Sequence, residues 1–289
     1  MRRPYICIFL FLLAGALPAP VALAHGGKML ITPETVAQGE PFMVTLVGID
    51  IRDVKKLAWD GASIPVFLYK NKPTALIGVD LAARARKHTL KLTTLDADQV
   101  VATVTVQRRP KITAPLGIPE KLGGNTKQSQ QNLVAALSRE NWTLAKINAS
   151  PLPLWDNVFR FPVKDPEVID AYGYSRSTGS YSIPHKGTDF RAATGTSIFA
   201  INGGVVRLAR EFVVYGKTVA IDHGGGIVSL SMHLSKIQVK EGQKAMQGDL
   251  IGLSGDSGYA LGPHLHLSVR IGGVSIDPVK FFALFNTNR

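Results

Sequence analysis

Cysteine is almost missing from this chain: there is one in 289 residues, at position 7. It falls within "MRRPYICIFLFLLAGALPAPVALA", residues 1–24, where Arg2 and Arg3 precede the apolar run Ile6 to Leu13 and the small-residue end Ala22-Leu23-Ala24. That is the pattern of a secretory signal peptide, and cleavage is expected to leave His25 first. Cys7 lacks the small-residue setting just before a cleavage site that a lipoprotein cysteine has. After residue 24 there is no thiol, which excludes disulfides and cysteine zinc ligands and calls for a core large enough to stand unstapled. No later stretch is apolar enough to span a bilayer, so no stable membrane insertion is expected once the signal is removed. Long basic runs are also missing. The net charge is +12, or +10 without Arg2 and Arg3 (12 − 2). No five basic residues stand together and none alternate with aromatics, so nucleic acid is not an expected partner. An exported basic protein instead meets anionic cell-wall polymers and membrane surfaces.

What is present divides into three zones after the signal, with no internal repeat. In residues 25–108, "PFMVTLVGI", "IPVFLYK", "HTLKLTTL" and "VVATVTVQR" read as short strands separated by turn signals such as "NKP" and "DAD", which predicts a small N-terminal β-sandwich. His88 opens one of these strands and, with no partner histidine nearby, is expected on the surface. Residues 109–154 begin as a Pro/Gly linker, "RRPKITAPLGIPEKLGGN". Leu133, Val134, Leu137 and Leu144 then fall at helical spacing, which predicts a helix near 127–147 that packs as a connector. In residues 155–289 the strands return as "SIFAI", "GVVRLAR", "KTVAIDH", "GIVSLSMHL", "DLIGLS" and "HLHLSVRI". "IDHGGGIVS" reads as a hairpin turn, and no helix pattern follows its glycines, which argues against a phosphate loop.

Histidine is scarce too, seven in all, yet five lie between residues 185 and 266. Alternate residues of a strand share a face. In "HLHLSVRI", His264, His266, Ser268 and Arg270 therefore face one way and Leu265, Leu267, Val269 and Ile271 the other. In "IVSLSMHL", alternation puts Val228, Leu230, Met232 and Leu234 on an apolar face and Ser229, Ser231 and His233 on a polar one. "IPHKGTDF" adds His185 and Asp189 on a turn that leads into a strand. Imidazole and carboxylate are good zinc ligands, and a catalytic zinc takes three protein ligands and leaves a position for water. The available set is His185, Asp189 and one histidine of the 264/266 pair, with the other beside the water, whose pKa zinc lowers. His223 fits a turn position and reads as structural. As a new N-terminus, His25 could chelate a metal through its amine and ring.

"PHKGTDFRAATGTSIFAINGGVV", "GKTVAIDHGGGIVSLSMHLS" and "GLSGDSGYALGPHLHLSVR" together resemble the M23 (LytM/lysostaphin-type) zinc metallopeptidases, over about 155 to 282. The resemblance implies a C-terminal antiparallel β-sheet whose open groove holds one zinc ion, in a mainly β protein joined to its N-terminal sandwich by a helical linker. It implies His185, Asp189 and His266 as metal ligands and His264 and His233 as catalytic histidines that handle the water's proton and steady the oxyanion. The implied substrate is the peptide cross-link of bacterial peptidoglycan, and the implied location is outside the cytoplasm, the periplasm before secretion or the cell wall. Protein partners are unknown. Some M23-like domains have lost ligands and activate separate cell-wall hydrolases, so a non-catalytic regulator is the alternative, and a wall-binding module with a closed structural zinc is a third reading. Ser231, Leu267 and Leu261 depart from the commoner pattern, and "DAYGYSRSTG" matches the usual motif there only loosely, which bears on specificity and rate.

Overall fold

A computed structural model describes residues 27–155 and 157–286. The expected signal peptide and His25 lie outside the described residues. The protein is mainly β, as expected, and the N-terminal region is a sandwich of two sheets. A four-stranded antiparallel sheet runs in the order Lys28–Thr32, Pro41–Val47, Lys72–Gly78, Phe67–Tyr69. A five-stranded sheet runs Thr35–Ala37, Gln99–Gln107, Lys87–Thr94, Val54–Trp59, Ala62–Ile64.

The two sheets differ in how their sequences read, and burial explains why. Lys87–Thr94, "KHTLKLTT", alternates because one face meets the sandwich core through Leu90 and Leu92 and the other meets water. Pro41–Val47, "PFMVTLV", is almost continuously apolar because it is covered on both sides. Phe42, Val44 and Leu46 enter the sandwich core, while Met43 enters the core of the C-terminal region. Lys72–Gly78 does the same, with Ala75 and Ile77 on one side and Leu76 on the other. An apolar layer thus crosses the expected boundary near residue 108. Aromatic side chains thicken it: Trp155 meets Tyr69 at 5.1 Å, Phe159 at 5.0 Å and Phe285 at 5.5 Å between ring centroids. Arg109 ties the same junction with hydrogen bonds to Gln38 O (2.8 Å), Tyr172 O (3.3 Å) and Asp277 Oδ2 (3.0 Å).

His88 is not on the surface. It is 5% exposed, stacks on Trp59 at 5.3 Å and sits between the Asp60 carboxylate and Arg84 O. Arg84 O is a local partner, four residues away, but Trp59 and Asp60 come from a strand and turn nearly thirty residues earlier, so local sequence gave no sign of the burial.

The C-terminal region is built on one twisted antiparallel sheet. Its central path runs Val168–Asp170, Thr188–Arg191, His264–Ile271, Ile227–Ile237, Lys217–Gly224, Gly204–Glu211, Lys244–Ala245. One face carries Phe190, Leu265, Leu267, Val269 and Ile271 into the large core, against the helix α2 (Pro278–Asn286) and the sandwich. The other face is the floor of a groove. Helix α1 (Lys127–Ala145) lies along that side, capped at its start by the Thr126 hydroxyl, which accepts from Ser129 N at 3.1 Å. Its buried stripe is Ser129, Leu133, Ala136, Glu140 and Leu144, spaced three and four apart. The polar member has a purpose: the Glu140 carboxylate accepts from Val214 N (2.9 Å) and Tyr215 N (3.0 Å), docking the helix on the 212–216 turn. The stretch before the helix is also not free linker. Thr113–Pro115 pairs in parallel with Ser175–Thr178.

Candidate metal centre and groove

Strand register builds the site. Asp189 lies directly opposite His266, His266 opposite Met232, and Asp170 opposite Asp189. Directly opposed residues point to the same face, so one row of the sheet presents Asp170, Asp189 and His266 to the groove. His185 joins from the turn before Thr188. Its Nε2 stands 3.0 Å from Asp189 Oδ1 and 3.1 Å from His266 Nδ1, and that nitrogen is 2.7 Å from Asp189 Oδ1. Three donor atoms at these spacings nearly match one face of a zinc tetrahedron, whose edges are about 3.3 Å for bonds of about 2.0 Å. His185, Asp189 and His266 could therefore hold a metal ion, and all three are buried.

The surroundings orient each donor. His185 Nδ1–H donates to Ala171 O at 2.9 Å, which leaves the Nε2 lone pair facing the cluster. Arg176 bonds Asp189 Oδ2 at 3.0 Å and also pairs with Asp170, so one guanidinium bridges two carboxylates that face each other across the strands and offsets one of their two charges. Burial alone would raise the Asp189 pKa. The electrostatic pull of the adjoining His185 and His266 rings outweighs it and holds the carboxyl far below the usual range. Burial lowers the pKa of His266, so its ring is kept ready as a neutral ligand.

His264 and His233 complete the cluster. Their ring centroids are 4.9 Å apart, and His233 is 6.0 Å from His266. His264 Nδ1–H donates to Gly262 O at 2.8 Å and His233 Nδ1–H to Ser257 O at 2.9 Å, so both Nε2 atoms are left for the groove. Burial, with the neighbouring histidines, pushes His233 down to about 3.

His233 reaches this place by a route that simple alternation misreads. Val228 and Leu230 lie opposite Arg270 and Ser268, on the groove side with Met232, under the end of α1. Ser229 and Ser231 lie opposite Val269 and Leu267, on the core side. Regular alternation would send His233 into the core. Instead its φ is 59°, in the left-handed region, at a register shift between the Lys217 and Val219 pairings. That bulge turns the ring into the groove, and Leu234 resumes on the core side.

His223 is on a strand end, fully buried, with Nδ1–H donating to Gly203 O (2.7 Å) and Nε2 accepting from Ser229 Oγ (2.8 Å). It is a structural residue, away from the cluster. Burial pushes its pKa from 6.5 down to about 4. The unfolded chain thus takes up the proton first as pH falls, so this stability is complete above pH 6.5 and drains away toward pH 4. Urea unfolding at pH 7 and pH 5 should show the parent losing about 2 kcal/mol more than His223→Gln over that interval.

The cavity over the cluster has a volume of about 310 Å³. Beside the histidines it is walled by Leu133, Leu137 and Asn141 of α1, and by Arg176 and Arg270. Among the described residues no sandwich side chain lines it. Sequence reasoning grouped Arg270 with the histidines on one strand face but gave it no part. Arg176 was visible only as a residue in a loosely matching stretch, and the helix was read as a connector, with no sign that Leu133 and Leu137 wall the groove.

Residues 183–278 match peptidase family M23 and form an M23 peptidase domain. The peptidoglycan DD-endopeptidase ShyA of Vibrio cholerae is 42% identical over 97 residues, 34% of this chain and 23% of that protein. The DD-carboxypeptidase/endopeptidase Mpg of Neisseria meningitidis serogroup B is 38% identical over 96 residues, 33% of this chain and 22% of that protein. The matched segment thus spans less than a quarter of either relative's own length. A solved structure of a candidate M23 peptidase from Pseudomonas aeruginosa aligns over 86% of this chain and 95% of that one, with a TM-score of 0.57 and 24% identity. That likeness extends the shared fold beyond the peptidase domain to the N-terminal region.

Proposed function

We propose that this M23-domain protein is an exported, zinc-dependent endopeptidase that hydrolyses peptide cross-links of bacterial peptidoglycan, acting in the periplasm. The observation that carries the reading is the convergence of His185 Nε2, Asp189 Oδ1 and His266 Nδ1 beneath two further imidazoles in an open groove. The signal-peptide pattern supports export, and the named activities of ShyA and Mpg support the substrate class.

One zinc ion held by these three donors would supply Lewis acidity toward the peptide carbonyl and lower the pKa of a water. The protein's own groups do the rest. Because their Nδ1–H groups are committed to Gly262 O and Ser257 O, His264 and His233 present Nε2 lone pairs to the groove. A neutral Nε2 can accept a proton from the attacking water. Once protonated, the same atom donates a hydrogen bond to the oxyanion and can pass the proton to the leaving amine. Arg176 fixes the unused oxygen of Asp189, and Leu133, Leu137 and Met232 give the groove an apolar wall beside the histidines.

The regulator alternative rests on lost ligands, and here all five positions are filled. The test is a digest of defined, cross-linked peptidoglycan with the chain lacking residues 1–24, read by mass spectrometry. Loss of cross-linked dimers that stops with chelator and returns with zinc is expected. A zinc-loaded protein that releases nothing would refute the peptidase and favour the regulator.

A further inference from the structure

Arg270 stands out in the groove because nothing negative accompanies it. It lies on the His264–Ile271 strand, and alternate residues His264, His266, Ser268 and Arg270 all line the one cavity. Its immediate neighbours on that face are uncharged: Ser268 on its own strand, Val228 opposite on one side and Ser275 on the other. Among the described residues its side chain makes one hydrogen bond, Nη1–H to Leu144 O at 2.9 Å, and Nε is buried with no partner. Leu144 O belongs to the last turn of α1, so it offers the partial negative charge of a helix end and not an ion. Glu140, the acidic residue on the buried stripe of α1, spends its carboxylate on Val214 N and Tyr215 N. Arg176, in the same cavity, is the contrast: it is matched by both Asp170 and Asp189.

Taking a guanidinium out of water is costly unless an anion meets it. Burial already lowers the Arg270 pKa. One carbonyl at a helix end is a weaker partner than the anion that would offset this cost. Arg270 lines the same cavity as the histidines, and a carboxylate is the anion that a guanidinium binds best.

We propose that Arg270 is a specificity-determining residue that receives a carboxylate of the peptide substrate. The inference rests on the peptidase reading for the identity of that substrate. His266 and Arg270 are four strand residues apart, about 13 Å along the sheet. The carboxylate therefore belongs to a part of the substrate remote from the bond cut, reached along the same cavity.

The test uses the chain without residues 1–24, silenced by His264→Ala, and measures binding by calorimetry. The probes are a cross-linked peptidoglycan peptide dimer with free carboxylates and the same dimer with those carboxylates amidated. The free dimer should bind about 10- to 100-fold tighter. Adding Arg270→Met should abolish that preference by weakening only the free dimer, and Arg270→Lys should restore part of it. Arg270→Met alone should keep a thermal midpoint at or above the parent's, because an unpaired buried charge has gone. Equal binding of the two dimers, no binding of either, a preference that survives Arg270→Met, or a lowered midpoint would each overturn the proposal. Hydrolysis by the parent without carboxylate preference would sink this inference alone. An Arg270-dependent preference in a parent that cuts nothing would sink the peptidase reading alone.

Discussion

Replacing His264 with alanine is expected to leave the metal in place and slow peptide hydrolysis by about 10²- to 10⁴-fold, the usual contribution of a positioned acid–base group. His266→Ala should instead lose the metal and the activity together. The two residues are neighbours on one strand face, yet the geometry separates them. His266 Nδ1 is 2.7 Å from Asp189 Oδ1 and 3.1 Å from His185 Nε2, inside the donor triangle. His264 Nε2 is 3.9 Å from the other carboxylate oxygen, Asp189 Oδ2, and its ring is anchored by Gly262 O. Metal content of the purified variants and product release from cross-linked peptidoglycan decide the matter. If His264→Ala also lost the metal, His264 would be a fourth ligand, the site would be closed, and the structural-zinc reading would stand in place of the catalytic one.

The second large effect is expected from a residue with no side chain. Gly187 sits in the turn between His185 and Asp189, packed against the edge of the His266 ring. A methyl group there would overlap His266 Nε2, and would lie 2.6 Å from Cε1 of the same ring and 2.6 Å from Leu267 O. The backbone oxygen cannot move without breaking the sheet, so the ring must turn. Gly187→Ala should therefore weaken zinc binding by about 10- to 100-fold, as loss of a ligand's support does. Competition with a coloured chelator would measure it. Gly262→Ala is the control: no atom lies within 4 Å of the added methyl, and zinc affinity should not change. Equal affinities for the parent and Gly187→Ala would show that the ring has room to spare.

Much of this was legible because strands carry a simple code. The pairing of His264 with His266 on one face, and of both with Ser268 and Arg270, follows from alternation and is what the structure shows. The hairpin at residues 224–227 and the helix at Lys127–Ala145 were legible for the same reason: each has a local signature. What escaped depends on residues far apart in the chain. No period places Asp189 opposite His266, because register is set by the whole sheet. His233 was placed on the groove side as the structure has it, but alternation put Ser229 and Ser231 with it, and they face the core because one left-handed residue reverses the phase of the strand. Glu140 carried no signal on α1, because its partners are two backbone amides of the distant 212–216 turn. Arg270 was legible in position but not in meaning. Its isolation is visible only when the neighbours on both flanking strands are known.

The four-stranded sheet of the sandwich has one further consequence. Its strands Pro41–Val47 and Lys72–Gly78 give alternate residues to two different cores. Neither core can loosen without stripping one face of that sheet, and the stripped face would then weaken the other. The stabilities of the sandwich and of the peptidase region are thus expected to be coupled, and a single unfolding transition shared by both would show it. The N-terminal region cannot be treated as a detachable appendage or as a lid that swings on a tether.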